Sequence, residues 1–254
     1  SKAVSKSIKS ACEREVRLKK TLTKIGFFLM GLAGLLALLC AVAASCVTNS
    51  ALMEQGFLKF SSTKHLGLLP SQYKACAQSL CDYLDGKKET IPAPKADEAA
   101  AETPLFSEKE MRHLADVRRI IAVLKGVRWL GGGAALLGLG AAYYLEKWKK
   151  RTGLTAEALR GFAGAAGALL LAGAGLAVWG CVNFQGLFWT FHQLAFSNSL
   201  WLLNPQTDLL MALMPLSFFT WYAGQLLKSL LPVLGVMLCL VIAWIKAGRK
   251  QAEE

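Results

Sequence analysis

Histidine is scarce in this chain: three in 254 residues, at His65, His113 and His192. No His-x-x-x-His or Cys-x-x-Cys pair occurs, which removes the usual local frameworks for a zinc or dithiol site. Lysine and arginine are absent from Phe184 to Gln225, although the chain carries 29 of them against 17 Asp and Glu, a formal net charge of +12. Charge of either sign is missing from four long runs: Ile25 to Val47, Trp129 to Leu145, Phe162 to Cys181 and Ser229 to Ile245. Each run holds about 17 to 23 residues, the length that crosses a hydrocarbon layer about 30 Å thick. With 54% apolar residues overall, the composition excludes an ordinary soluble domain of this length.

What is present sets the orientation, because basic residues in short flanks stay on the cytoplasmic side. Lys2, Lys6, Lys9, Arg14, Arg17, Lys19, Lys20 and Lys24 precede the first run. Lys147, Lys149, Lys150, Arg151 and Arg160 lie between the second and third, and Lys246, Arg249 and Lys250 follow the fourth. The expected layout is a basic cytoplasmic N-terminus (1–24), a first span (25–47), an extracytoplasmic segment (48–128), a second span (129–145), a cytoplasmic loop (146–161), a third span (162–181), an aromatic extracytoplasmic segment (182–228), a fourth span (229–245) and a cytoplasmic tail (246–254). Long segments translocate largely regardless of charge, so the basic residues of 48–128 do not overturn it. The first run exceeds the 7 to 15 apolar residues of a signal peptide and reads as a retained helix. The fold class is therefore integral membrane, mainly α, with four transmembrane helices and a small extracytoplasmic mixed domain. The excess positive charge fits an anionic inner leaflet rather than nucleic acid.

The glycine- and alanine-rich spans GGGAALLGLGAA and GFAGAAGALLLAGAGLA suit close helix packing in lipid. Seven cysteines leave at least one thiol unpaired. Cys40 and Cys239 read as apolar packing residues. Cys76 and Cys81, five apart on a helix, point about 140° away from each other and are poorly placed for a disulfide.

In the first outer segment, Gly56 to Thr63 reads as a short strand. Ser71 to Gly86 reads as an amphipathic helix with Tyr73, Cys76, Leu80 and Leu84 on one stripe and Gly86 as its stop. The following GKKETIPAPKADEAAAETP has the composition of a mobile linker. A second helix starts at Ser107, whose spacing to Glu110 is that of a capping box; Met111, Leu114, Val117, Ile121 and Leu124 then recur at helical intervals. His113 sits at the edge of that stripe. Asp116, three residues on, can hold its imidazole in one tautomer, although Arg112 or Arg119 can claim Asp116 instead.

In the second outer segment Phe188, His192 and Phe196 share a helical face, with Trp189, Phe191 and Trp201 nearby. Aromatics at this density fit an interfacial belt as well as a binding site. Asn204 and Pro205 mark a turn, and Thr207 or Asp208 can cap a helix reaching toward Pro215. Asn198 can donate to a carbonyl or oxyanion, whereas Asn204 reads as a turn residue. Both His113 and His192 fall on the extracytoplasmic side, where imidazoles can move protons near neutral pH.

Two signatures, LFSEKEMRHLADVR and FHQLAFSNSLWLLNPQTDLL, flank the second and third spans of a four-span chain with both ends inside. Together they resemble the bacterial lipoprotein intramolecular transacylases known as Lit, and the earlier helix LLPSQYKACAQSLCDYLDGKKE is similar to the family's helix ending in Tyr-Leu-x-Gly. The chain departs from that pattern at Leu216, after Pro215, where the family favours an acidic residue, so no role carries over to that position. The resemblance implies a diacylated bacterial lipoprotein substrate, whose N-terminal cysteine bears a diacylglyceryl thioether at the outer face of the membrane. It implies transfer of the sn-2 acyl chain onto that cysteine's own α-amino group, giving the lyso-form, with no cofactor and no separate donor.

The chemistry is compatible with the residues. A substrate amine of pKa about 7.7 to 8 is largely ammonium near neutral pH and must lose a proton before it attacks. His113, supported by Asp116, is the candidate base. His192 is the candidate for the oxyanion donor or for protonating the departing glycerol oxygen, and the sequence leaves the division of labour open. Phe188, Phe191, Phe196 and Trp201 are candidate walls of the lipid pocket, and Asn198 a candidate substrate contact. A rival route uses Cys46 or Cys181 as an acyl-accepting nucleophile. From another class, a transporter or metal-handling protein would use His113, Asp116, His192 and His65 as ligands, although no ionisable residue lies inside a span. A pure scaffold would need neither histidine. His65 matches neither signature and receives no role.

Overall fold

The structure, a computed structural model, describes residues 2–63, 67–94, 104–149 and 153–253. His65 therefore lies outside the described residues. Among the described residues there are eight α-helices: α1 (Lys2–Val47), α2 (Ser50–Phe60), α3 (Tyr73–Asp85), α4 (Glu108–Trp148), α5 (Leu154–Val182), α6 (Phe184–Ala195), α7 (Leu209–Leu213) and α8 (Leu216–Glu253). Four of them, α1, α4, α5 and α8, are long and apolar enough to cross a membrane. They contain the four uncharged runs. At 1.5 Å per residue, the 46 residues of α1 reach about 70 Å, more than twice the hydrocarbon thickness. In the same way α4 runs unbroken from the histidine-bearing segment into the second apolar run, residues 129–145.

The chain divides into two compact units. The first comprises Ser1–Leu38, Val127–Ala174 and Pro232–Glu254. Leu35, Ala165, Ala166 and Met237 form its buried core, packed by Phe28, Leu32, Phe162 and Val241. Glycine lets backbones meet here: a Cβ added to Gly31 would lie 2.7 Å from Phe162 Cα, and one added to Gly161 would lie 2.5 Å from the Phe27 carbonyl carbon. Large apolar side chains face outward instead of inward, with Leu130, Leu137 and Leu171 each at least 77% exposed. Water would make that arrangement costly, while lipid makes it neutral, which is why these faces suit a bilayer.

The second unit comprises Leu39–Gly126 and Gly175–Leu231. Its core gathers Phe57, Leu80, Ile91, Leu213 and Phe218, all but fully buried. The short strand expected at Gly56 to Thr63 is not there. Gly56 lies inside α2, which Asn49 caps by accepting the Leu52 N–H at 3.0 Å, and only 61–63 leave the helix. Gly56 serves close packing, because a side chain there would fall on the Phe218 ring. Among the described residues the only β pairing is an isolated bridge between Pro92 and Pro104. The segment expected to be mixed is helix and coil.

α3 forms as its sequence dictates. Tyr73, Cys76, Leu80 and Leu84 are buried along one stripe, and Gly86 ends the helix at φ 85°, a left-handed conformation that glycine adopts without strain. Cys76 and Cys81 are unpaired thiols in this core, pushed up to about 11 and about 12 by burial. The stretch expected to be a mobile linker is anchored at both ends. Ile91 is 1% exposed, its carbonyl accepts the Leu105 N–H at 2.9 Å, and Glu89 holds Arg118 of α4 through two bonds of 2.8 and 2.9 Å. Lys125 reaches Asp85 from the same helix at 2.5 Å. These contacts fix α3 and the following coil against α4. Residues 95–103 of that stretch lie outside the described residues.

Candidate active site

The second unit builds its site from α4, α6 and the loop after α6. α4 starts as its capping box requires, with Ser107 N–H donating to Glu110 Oε2 at 2.8 Å and Glu110 N–H to Ser107 Oγ at 3.4 Å. Glu110 does more than cap. Only 2% exposed, it also accepts the Leu210 N–H at 2.6 Å, and so supplies the N-terminal partner of α7. Asp208 occupies the N-cap position of α7 but does not cap it as expected, since its carboxylate turns back to accept the Asn204 N–H at 2.7 Å. A buried carboxylate from another helix wins that position. Lys109 adds a bond to the Leu202 carbonyl at 2.6 Å, tying α4 to the same loop.

One turn beyond Glu110, His113 is 7% exposed. α6 is capped by Asn183, whose side chain accepts the Gly186 N–H at 2.8 Å, and carries His192 at 9% exposure. The two imidazoles converge, with ring centroids 6.2 Å apart and planes at 32°. Aromatic rings enclose them. Phe196 meets His113 edge-on at 5.0 Å and His192 at 5.5 Å; Phe188, Phe191 and Trp201 approach His192 at 4.2, 5.4 and 5.2 Å. Phe219 of α8, which the sequence motifs did not flag, packs behind Phe188 with tilted rings whose centroids are 4.9 Å apart. Only a long-range contact brings it in, so no local pattern could have found it.

The two rings differ in their hydrogen bonds. His192 Nδ1 donates to the Phe188 carbonyl at 2.7 Å, which fixes the proton on Nδ1 and leaves Nε2 with a free lone pair. His113 Nδ1 is buried with no hydrogen-bond partner among the described residues. Burial drives His113 down to about 4; nearby His192 adds to the drop and Asp116 opposes it. His192 is lowered too, by burial, against the pull of the Phe188 carbonyl. Both rings are thus neutral near pH 7 and able to accept protons.

Asp116 acts on His113 through space only. Its Oδ2 accepts from Asn198 Nδ2 at 2.8 Å and its Oδ1 lies 3.6 Å from the Arg119 guanidinium, one of the two partners the sequence allowed. Asn198 is committed to that carboxylate and, through Oδ1, to the Leu200 N–H at 3.0 Å. Asp116, Arg119, Phe196, Ser197 and Asn198 line a cavity of about 90 Å³ beside the pair. Of the cysteines weighed as nucleophiles, Cys46 is buried in the unit's core and Cys181 is exposed. Among the described residues, no set of three or more His, Cys, Asp or Glu side chains gathers as metal ligands would.

Fold and site define a helical membrane protein with two neutral histidines packed in an aromatic enclosure. The model of the family "Lipoprotein intramolecular transacylase Lit" matches residues 27–219. The chain belongs to that family, and is accordingly a membrane acyltransferase. The in meso structure of the membrane-integral Lit from Bacillus cereus shares its fold at a TM-score of 0.62 and 20% identity, covering 91% of this chain and 97% of that one. Two further structures of the Bacillus cereus protein, with a histidine replaced by arginine or by alanine, match at TM-scores of 0.59 and 0.57, each 18% identical over 94% of this chain. No curated protein matches the sequence.

Proposed function

We propose that this protein moves the sn-2 acyl chain of a diacylglyceryl-cysteine lipoprotein onto the cysteine's own α-nitrogen, and that His113 and His192 carry the protons. The observation that carries this reading is the convergence of the two rings in one buried aromatic enclosure, with the Nδ1 of His113 unpartnered. Family membership supplies the reaction class and the lipoprotein substrate.

In this mechanism His113 takes a proton from the substrate ammonium and passes it to water. Asp116 supports the transient imidazolium from a distance. The freed amine attacks the sn-2 ester carbonyl and forms a C–N bond, leaving an oxyanion and a positively charged nitrogen. His192 Nε2 accepts that nitrogen's proton and hands it to the glycerol oxygen as the C–O bond breaks. Its Nδ1 stays on the Phe188 carbonyl throughout, the orienting role that a fixed acceptor plays beside a shuttling imidazole. The products are an amide, a free glycerol hydroxyl and one released proton. No acyl donor or cofactor enters the balance.

Both reacting groups belong to one substrate, so catalysis rests heavily on bringing a flexible lipid's amine and ester together. Phe188, Phe191, Phe196 and Trp201 supply the apolar walls for that folding. The site faces the extracytoplasmic side, with both termini cytoplasmic. Fragmentation mass spectrometry of a diacylated lipopeptide with an isotope-labelled sn-2 chain is the test, since intact mass does not change. Label on the cysteine nitrogen is the expected result; label retained on glycerol, or nitrogen acylated from the sn-1 position, would refute the assignment.

A further inference from the structure

We infer that the cavity beside the histidine pair is a receptor for a primary ammonium, the α-nitrogen of the lipoprotein's N-terminal cysteine, with Asp116 as its anion and Arg119 as a cation the substrate displaces. The inference rests on the reading just given and adds a site that tells substrate from product.

Three features of the cavity point this way. Its volume, about 90 Å³, is enough for an ammonium group. Asp116 is aimed by a neutral donor: Asn198 Nδ2 holds Oδ2 at 2.8 Å, and Asn198 is itself fixed by the Leu200 N–H. The other oxygen is held loosely, because the Arg119 guanidinium stands off at 3.6 Å and its side chain is 79% exposed. The neighbouring pair shows what a settled arginine looks like in this unit, with Arg118 gripping Glu89 through two bonds of 2.8 and 2.9 Å. Asp116 Oδ1 therefore lacks a close donor, and a compact ammonium is the group that fits beside it.

The position is right for the reaction. Phe196 lines the cavity and packs edge-on against the His113 ring, centroids 5.0 Å apart, so the cavity and the proposed base are neighbours across that ring. Asp116 and His113 are three residues apart on one helix and share a face. Acyl transfer turns the nitrogen into a neutral amide. The ion pair with Asp116, broken when His113 takes the proton, cannot re-form because an amide nitrogen does not reprotonate near neutral pH, and Arg119 can return. The cavity would thus favour the free-amine lipoprotein before reaction and release the N-acylated one after it.

The experiment measures binding of two synthetic diacylglyceryl-cysteine lipopeptides, one with a free α-amine and one N-acetylated, to His113→Asn protein in lipid nanodiscs. This background holds substrate without turnover if the mechanism above is right. The free amine is expected to bind about tenfold more tightly than its N-acetyl counterpart, the scale of one partly buried ion pair. Asp116→Asn should collapse that preference to about twofold or less while leaving the N-acetyl affinity unchanged. Arg119→Ala, at an exposed position that does not threaten folding, should tighten the free amine by about threefold. Equal binding of the two lipopeptides, a preference that survives Asp116→Asn, or weaker free-amine binding in Arg119→Ala would overturn the inference. Turnover by His113→Asn at the wild-type rate would instead overturn the histidine mechanism, so the two failures are distinguishable.

Discussion

His113 is the residue on which the proposed chemistry turns. Its burial keeps it neutral near pH 7, with a buried Nδ1 that has no hydrogen-bond partner among the described residues, because the folded protein lowers it to about 4 from an ordinary value of 6.5. The free energy of proton transfer from an amine of pKa about 8 is then uphill by about 5 kcal/mol, so deprotonation of the substrate limits the acid side of the reaction. Activity should rise with pH toward the amine's own pKa, with no inflection near 6.5. A pH-rate profile between 5 and 9 checks this, and a break at 6.5 would contradict it.

The same shift has a stability consequence of definite sign. The unfolded chain binds a proton at His113 below about 6.5 while the folded chain does not until about 4, so stability is full above 6.5 and falls as pH drops between those values. The loss approaches about 3 kcal/mol. Melting curves should show that His113→Gln removes a large part of the acid destabilisation.

The signatures made His113 and His192 legible in the sequence, because each sits on a helical stripe with a readable cap or aromatic spacing. The aromatic rings around His192 were legible as well, from their spacing, whereas the long-range contacts were not. Asp116 turned to Asn198, 82 positions away, Glu110 reached 100 positions to α7, and Phe219 arrived from another helix. Such pairings are decided by tertiary packing, which no local period encodes.

Helices read well where the pattern was long and poorly where it was short. The four apolar runs, the α3 stripe and the start of α4 all emerged from period and caps. The expected strand at Gly56 to Thr63 failed, because the stretch is too short to show a helical period and Gly56 is the place where α2 admits an aromatic ring. The continuity of α4 was only half legible: its start and its apolar end were separately clear. In the first unit, glycine sets how closely α1 and α5 approach. Gly161→Leu should destabilise the protein by about 1 to 3 kcal/mol, because the added side chain starts in contact with the Phe27 backbone, which cannot give way. Gly173→Ala, with nothing within 4 Å of its Cβ, should be neutral. Thermal unfolding in detergent compares the two; equal stability would show that the close approach is dispensable.

For the whole molecule, charge and hydropathy carry the reading. The basic flanks account for the proposed orientation, with α1 extending its lysines and arginines well past the span that follows. Within the second unit Arg118 and Lys125 are paired to Glu89 and Asp85, which leaves the net positive excess unchanged. Membrane-impermeant thiol labelling should therefore miss a cysteine introduced near either terminus in intact cells and reach one introduced at Ser199. Labelling of the termini from outside would reverse the topology.

In the proposed mechanism two histidines from separate helices act as one proton-moving unit. The most direct measurement is the rate of N-acylated product formation, by fragment mass spectrometry, for His113→Asn, His192→Asn and the double variant in lipid nanodiscs. Residues acting as a unit are non-additive, so each single variant should lose nearly as much rate as the double. A single variant that keeps the wild-type rate, or losses that simply multiply in the double, would contradict the claim.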